Sequence, residues 1–245
     1  MIKNKIVIYT ALFGNYDNLI EPHSEFEHCD FVCFTDDESV ISNVWKIILV
    51  ENKALYPNMQ NRYYKLHPHL FFKDYEFSMY IDSNVMMWNS PFDLINKYMN
   101  DFSIAAPDHP HRNCLYQEAD EVIRLGKASS EIVNSQMKEY KSIGFPRDFG
   151  LCEMNVIIRK HNDIHIINLM NDWWFELVTK SQRDQLSFYF AIWKNKTKIA
   201  RMTENTRDYL GGFFVECHVN DTFIKKIRRK VKKVLVKFYR YAVSV

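Results

Sequence analysis

The sequence predicts an α/β layered fold with a mixed, mostly parallel sheet flanked by helices, and three observations predict it. Short apolar runs alternate with longer stretches at helical spacing along most of the chain. The apolar run Phe77 to Ile81 ends abruptly in the polar triplet Asp82-Ser83-Asn84, as a buried strand does when it delivers side chains to a ligand. No repeat or low-complexity linker interrupts the alternation, and 245 residues, 47% of them hydrophobic, suffice to bury one full core.

Taken in order, residues 5–12 read as a first strand, running into the polar turn Phe13-Gly-Asn-Tyr-Asp17. Residues 30–35 form a second, ending in Asp36-Asp37, and residues 45–50 a third, at an edge of the sheet. A helix over 58–67 buries Met59, Tyr63, Leu66 and Leu70, sets Arg62 and Lys65 together on an adjacent face, and ends at Pro68. After the innermost strand, residues 89–93 turn into a short helix reaching Tyr98, and residues 102–106 form another strand. The polar loop 107–114 follows, then helices over 116–125, closed by Gly126, and 130–140. Beyond the turn at Gly144-Phe-Pro146 come a strand over 151–159, a tryptophan-rich helix over 163–179, a helix from Ser181 to Trp193, and a late strand over 199–202.

Composition excludes several classes. The five cysteines are odd in number and contain no CxxC pair, which argues against a disulfide framework or a structural zinc site and suits a reducing cytoplasm. The apolar run after the first lysines is too short to span a bilayer and is followed by no signal-cleavage pattern, so a cytoplasmic protein is expected. The net charge of +2 conceals an asymmetry: residues 225–240 hold nine basic side chains and no acidic one. Taking nine from 32 leaves 23 basic against 30 acidic residues, so the body carries a net of −7 and is no nucleic-acid binder by charge.

Asp82 and Asn84 present two oxygen-bearing side chains two residues apart, which suits a hard cation such as Mn²⁺ or Mg²⁺; Asp-Ser-Asn is equally good turn chemistry. Arg62 and Lys65 are candidates for phosphate groups, or plain solvated helix cations. Thr10, Ala11, Phe13 and Tyr16 around the first turn, and Asp36 after the second strand, are of types that stack on a base or accept from a ribose, while Asp36-Asp37 also fits a turn. The loop holding His109 and Arg112 is dense in ligand-binding side chains. Asp184 and Gln185 open a helix where sugar hydroxyls can be bound, yet Ser181 to Asp184 also fits a capping box. Glu153 and Asn155 alternate out of an otherwise apolar strand; for an inverting transfer Glu153 or Asp184 is the base.

Blocks of sequence in order, Tyr9 to Asp17, Phe34-Thr-Asp36, Asn61-Arg-Tyr-Tyr-Lys65 with Pro68-His69, Tyr80-Ile-Asp82, His109-Pro-His-Arg112, Glu118-Ala119 and Arg183-Asp-Gln185, resemble the glycosyltransferase-like family long filed as domain of unknown function 616 (TOD1/MUCI70-like). The resemblance runs from about residue 5 to 218. It implies a Rossmann-like GT-A domain over residues 1–220 that binds a nucleoside-diphosphate sugar, foremost a UDP-sugar, through a divalent cation; for such a donor Ser83 and Asn155 are further candidate contacts, Asn155 being also placed to face the acceptor. It also implies His218 as a third metal ligand, though a satisfied surface histidine is an open reading. Asn84 departs from the commonest Asp-x-Asp pattern.

Residues 221–245 lie beyond the resemblance. Phe223, Ile224, Ile227, Val231, Val234, Leu235 and Phe238 fall on one helical face with the cations around the rest. A basic amphipathic helix of this kind predicts binding to an anionic membrane surface; a helix docked on its own domain or on a partner is the alternative, with RNA binding a third. The expectation is a peripheral enzyme on the inner face of the membrane, transferring sugar to a glycan or lipid-linked acceptor in surface polysaccharide or lipopolysaccharide assembly. The alternatives are a metal-dependent phosphohydrolase or a nucleotidyltransferase, the absence of a Gly-rich phosphate loop near the first strand counting against a pyrophosphorylase, and a non-catalytic membrane-tethered carbohydrate-binding protein.

Overall fold

The computed structural model describes residues 6–51, 53, 55–206, 211–219 and 221–243, the side chains of 240, 241 and 243 excepted. Lys5, expected in the first strand, and the side chain of Arg240 in the basic tail lie outside the described residues. Nine strands and seven α-helices follow one another among the described residues.

β1 (Ile6–Leu12), β2 (Cys29–Thr35), β3 (Lys46–Leu49) and β4 (Phe77–Ile81) pair in parallel in the order β3-β2-β1-β4, with β3 at the edge. β7 (Val156–Arg159) then runs antiparallel between β4 and β6 (Ile104–Pro107), and β8 (Ala200–Met202) closes the seven-stranded sheet in parallel with β6. This is the mixed, mostly parallel α/β sheet that the alternation of elements predicts.

Every residue of β1 is buried, because both faces of the sheet are covered. Val7, Tyr9 and Ala11 face a core shared with α1 (Pro57–Leu66), α5 (Ile164–Thr179) and α6 (Asp184–Lys194). Ile6, Ile8 and Leu12 face the other layer, built on Leu94 and Ile95 of α2 (Pro91–Tyr98). Each such side chain contributes about 1.5–3 kcal/mol by leaving water. α2 starts where Ser90 Oγ accepts from the Phe92 N–H at 3.3 Å and Pro91 fills the first turn. α3 (Leu115–Arg124) and α4 (Ser130–Ile143) pack together beside α6.

The structure corrects several sequence expectations. The strand expected over 151–159 is confined to its last four residues, because Cys152 makes an isolated bridge with Asp108 and the Glu153 N–H goes to the Pro107 carbonyl. Glu153 and Asn155 therefore sit on an irregular segment, not on alternate positions of a strand. The capping box from Ser181 to Asp184 does not form: Gln182 adopts a left-handed φ of 56°, Arg183 takes the cap position, and Ser181 Oγ has no partner. In α1 the buried stripe uses Tyr64 beside Met59 and Leu66, Tyr63 is half-buried, and Leu70 lies exposed in a 3-10 turn at Pro68–Leu70. A two-stranded sheet of β5 (Val85–Met87) and β9 (Phe213–Val215) was not expected. Both strands are three residues long, too short to display a period.

α7 (Phe223–Val243) docks on that small sheet. Val236 is buried against Trp88 and Phe214, and Lys233 pairs with Glu216.

Candidate functional site

In open parallel sheets, ligands bind beyond the carboxyl ends of strands where the connections diverge to either side. Here that point lies between β1, which leads outward to β2 and β3, and β4 on its other flank. An open cleft of about 1050 Å³ occupies it, lined by the turn after β1, α1, the end of β4, the 153–155 segment, the start of α6 and His218. That volume is at the upper end for small-molecule sites. Gly14 shapes one wall: its φ is +67°, and a Cβ there would stand 2.7 Å from Pro57 Cβ, so only glycine lets the β1 turn press against the start of α1.

Four charges meet on the cleft floor. Lys65 Nζ is 2.8 Å from Asp184 Oδ2 and 3.9 Å from Asp82 Oδ1, and Arg62 Nη2 is 3.6 Å from Asp184 Oδ1. Lys65 is buried and rests over the Tyr80 ring, with its ammonium 4.8 Å from the centroid. Burial by itself would raise the Asp184 carboxyl, but Lys65, Arg62 and Arg183 outweigh it and hold the group well below the usual carboxylate range. For Asp82 the balance tips the other way: burial raises its pKa and Lys65 opposes, although 41% of its side chain is open to the cleft. Asp184 is therefore held as an anion at neutral pH by its basic neighbours, and Asp82 is the more exposed of the two carboxylates.

A second group stands across the cleft. The His218 ring places Nδ1 2.9 Å from both carboxylate oxygens of Asp17, and the Tyr16 ring lies 5.4 Å from it. The bond to Asp17 raises the His218 pKa, burial opposing. On the third side Asn155 Nδ2 donates to Thr206 Oγ1 at 2.6 Å, and that hydroxyl donates to Glu153 Oε2 at 3.3 Å. Asn155 Oδ1 finds no partner. The Asp82 N–H donates to the Asn155 carbonyl at 2.9 Å, which ties this segment to the end of β4.

Of the residues expected at the site, Ala11, Phe13, Tyr16, Arg62, Lys65, Asp82, Ser83, Glu153, Asn155, Asp184, Gln185 and His218 line the cleft together. Thr10, Asp36, Asn84, His109 and Arg112 do not. Thr10 is wholly buried in β1, and Asp36 is exposed beyond β2. Asn84 turns its amide nitrogen to the Glu216 carbonyl at 3.3 Å and lies behind the wall. The 107–114 loop folds on itself: His109 Nδ1 accepts from the Arg112 N–H at 3.0 Å, and Arg112 Nε donates to Glu118 at 2.6 Å. Phe13 touches the cleft but is stacked on Tyr64 in the core, which leaves Tyr16, 61% exposed, as the aromatic surface of the β1 turn.

Sequence reasoning missed Asp17 and Asn61. Asn61 donates to the Ala11 carbonyl and so ties α1 to the β1 turn. Both lie within the blocks quoted above, but nothing in their spacing distinguishes them from turn and helix-surface residues.

For a divalent cation, Asp82 and His218 are cleft-lining residues of suitable type, and the bond between Asp17 and Nδ1 leaves Nε2 as the ring nitrogen available for a metal, with Asp17 placed as the outer carboxylate of a metal-bound histidine is. Among the described residues no three His, Cys, Asp or Glu side chains converge, so phosphate oxygens and water would complete the coordination of such an ion, as they commonly do for Mg²⁺.

An α/β domain that gathers carboxylates and cations around a cleft at the ends of its central strands belongs to the ligand-binding class of such sheets. The chain belongs to the TOD1/MUCI70 glycosyltransferase-like domain family, whose sequence profile matches residues 1–225. It is similar to a probable hexosyltransferase, MUCI70, of Arabidopsis thaliana, 23% identical over 91% of this chain. The chain spans 42% of that relative's length. Similar solved structures include the bifunctional glycosyltransferase WbbM (TM-score 0.49, 11% identity, 94% of this chain and 44% of that one). Mouse xyloside xylosyltransferase 1 (0.46, 9%, 81% and 84%) and the galactosyltransferase LgtC in complex with donor and acceptor sugar analogues (0.45, 13%, 80% and 72%) are two more. The family is that of a glycosyltransferase-like domain, in agreement with the resemblance seen in the sequence.

Proposed function

We propose that this chain is a GT-A-type glycosyltransferase that moves a sugar from a nucleoside-diphosphate sugar, foremost a UDP-hexose, to a glycan or lipid-linked acceptor. The divalent cation is Mn²⁺ or Mg²⁺, the setting is the cytoplasmic face of a membrane, and the pathway is surface polysaccharide or lipopolysaccharide assembly. The observation that carries the reading is the meeting of Asp82, Lys65, Arg62 and Asp184 in one cleft at the strand divergence. The hexose follows the description of the Arabidopsis relative.

Breaking the sugar–phosphate bond leaves negative charge on a diphosphate, and catalysis consists largely of stabilising that charge with preplaced groups. Lys65 and Arg62 are the preplaced cations. Asp184 holds them in position and, as an anion throughout the physiological range, accepts from sugar hydroxyls; its depressed pKa makes it a poor proton acceptor. Glu153, buried and bonded to Thr206, is the base for an inverting transfer; a retaining transfer requires neither carboxylate to move a proton. Tyr16 stacks on the base, and Gln185 and Asn155 Oδ1 face the sugars. Asp82 and His218 would hold the divalent cation, which would supply positive charge against the diphosphate leaving group.

The test is turnover of a panel of nucleotide sugars with and without Mn²⁺. Transfer or donor hydrolysis that Asp82→Ala abolishes while the variant retains the wild-type melting temperature supports the enzyme. Saturable donor or glycan binding without turnover in the wild type replaces it with a binding module.

A further inference from the structure

α7 carries two faces with different partners. Lys226, Arg229, Lys233 and Val236 recur at helical spacing and form the face turned to the body. Val236 is buried against Trp88 and Phe214, Arg229 and Lys233 lie over the Phe214 ring at 6.0 and 5.9 Å, and Lys233 pairs with Glu216. At 100° per residue the stripe of Phe223, Ile227, Val231, Val234 and Phe238 lies on the opposite side of the cylinder. All five are exposed, from 46% for Ile227 to 76% for Phe223. The same periodicity places Lys230 and Lys237 along one border of the stripe and Arg228 and Lys232 along the other.

We infer that this outward stripe is a docking surface for an anionic phospholipid bilayer, held in place by the opposite face of the same helix. An apolar strip bordered on both sides by cations matches the boundary between acyl chains and anionic headgroups, where the strip sinks below the headgroups and lysine and arginine reach back to them. A nucleic acid would match the cations but not the five exposed apolar side chains of the stripe, which cost free energy in water unless covered. The helix lacks the length of apolar sequence needed to cross a membrane, so it lies along the surface. Because Val236 and Lys233 keep their contacts, docking needs no undocking of α7. The helix begins beside the cleft, whose lining includes Lys225 and His218, so a bilayer on this face holds the cleft mouth close to its headgroups.

The experiment is co-sedimentation of the full chain with phosphatidylcholine vesicles, alone or containing phosphatidylglycerol, at low and high salt. The expected result is pelleting with the anionic vesicles only, weakened by salt, and a loss of about tenfold or more in partitioning for Ile227→Asp combined with Val231→Asp. That double variant should keep the wild-type melting curve, because both side chains are exposed. Wild-type protein that stays in the supernatant, or a double variant that pellets equally, overturns the inference. So does a dimer in solution that the same double variant dissolves, which would assign the stripe to a second copy. Vesicle binding is read without turnover, so its failure is distinct from failure of the transferase reading.

Discussion

Two clusters in this molecule set one carboxylate against two basic side chains, and they come to opposite ends. On the cleft floor Asp184 meets Lys65 and Arg62, and Asp82 stands open beside them. Beside the 107–114 loop, Glu118 of α3 meets Arg112 at 2.6 Å and His109 at 3.7 Å, with both Glu118 and His109 buried. The first cluster faces a cavity; the second is consumed by its own partners. The same residue types thus carry a site in one place and a structural clasp in the other, and the difference is whether the surrounding backbone leaves an opening in front of them.

That contrast can be broken by exchanging stability for activity. Lys65→Met should lower kcat/KM for the donor by about 10²–10³, since a preplaced charge facing the leaving group is lost. An equal loss from Arg112→Met would move the 107–114 loop into the site. Arg112→Met should instead cost about 2–3 kcal/mol of stability in urea melts, because it strands the buried Glu118 carboxylate, with donor KM little changed. Acid titration sharpens the separation of both clusters from the rest of the core. Burial lowers the pKa of His161 to about 4, its bond to the Phe72 carbonyl opposing. The unfolded chain then binds that proton first, so the stability is fully present above about pH 6.5 and is lost as pH falls toward 4. Wild-type protein should lose about 2 kcal/mol between pH 7 and 4.5, and His161→Gln should lose correspondingly less. The smallest effect is that of Tyr16→Ala, about tenfold in donor KM through lost stacking, with kcat and melting temperature retained.

Parts of this arrangement are legible in the sequence because they are local. β1 is legible as a nearly continuous apolar run, and both of its faces are buried as that composition requires. Asp82 at a strand end and the amphipathic pattern of α7 are equally local signals. The strand expected through Glu153 failed because nothing in the residues 151–155 reports that their hydrogen bonds go to Pro107 and Asp108 instead of to a ladder. His109 and Arg112 read as site residues by type and by their place in the family resemblance, but in the fold they are taken up by each other and by Glu118 of α3.

What the amino-acid order determined by itself is therefore the class of sheet, the family, the carboxylate at the end of its innermost strand and the two-sided character of the last helix, all of which depend on neighbours a few positions apart. Only the tertiary structure decided that Lys65 would meet Asp184, 119 residues away, that Asp17 would orient His218, and that α7 would turn Val236 inward and its apolar stripe outward. Those pairings depend on how separate elements pack, and an ion pair or a docked face has no signature in the spacing of either partner.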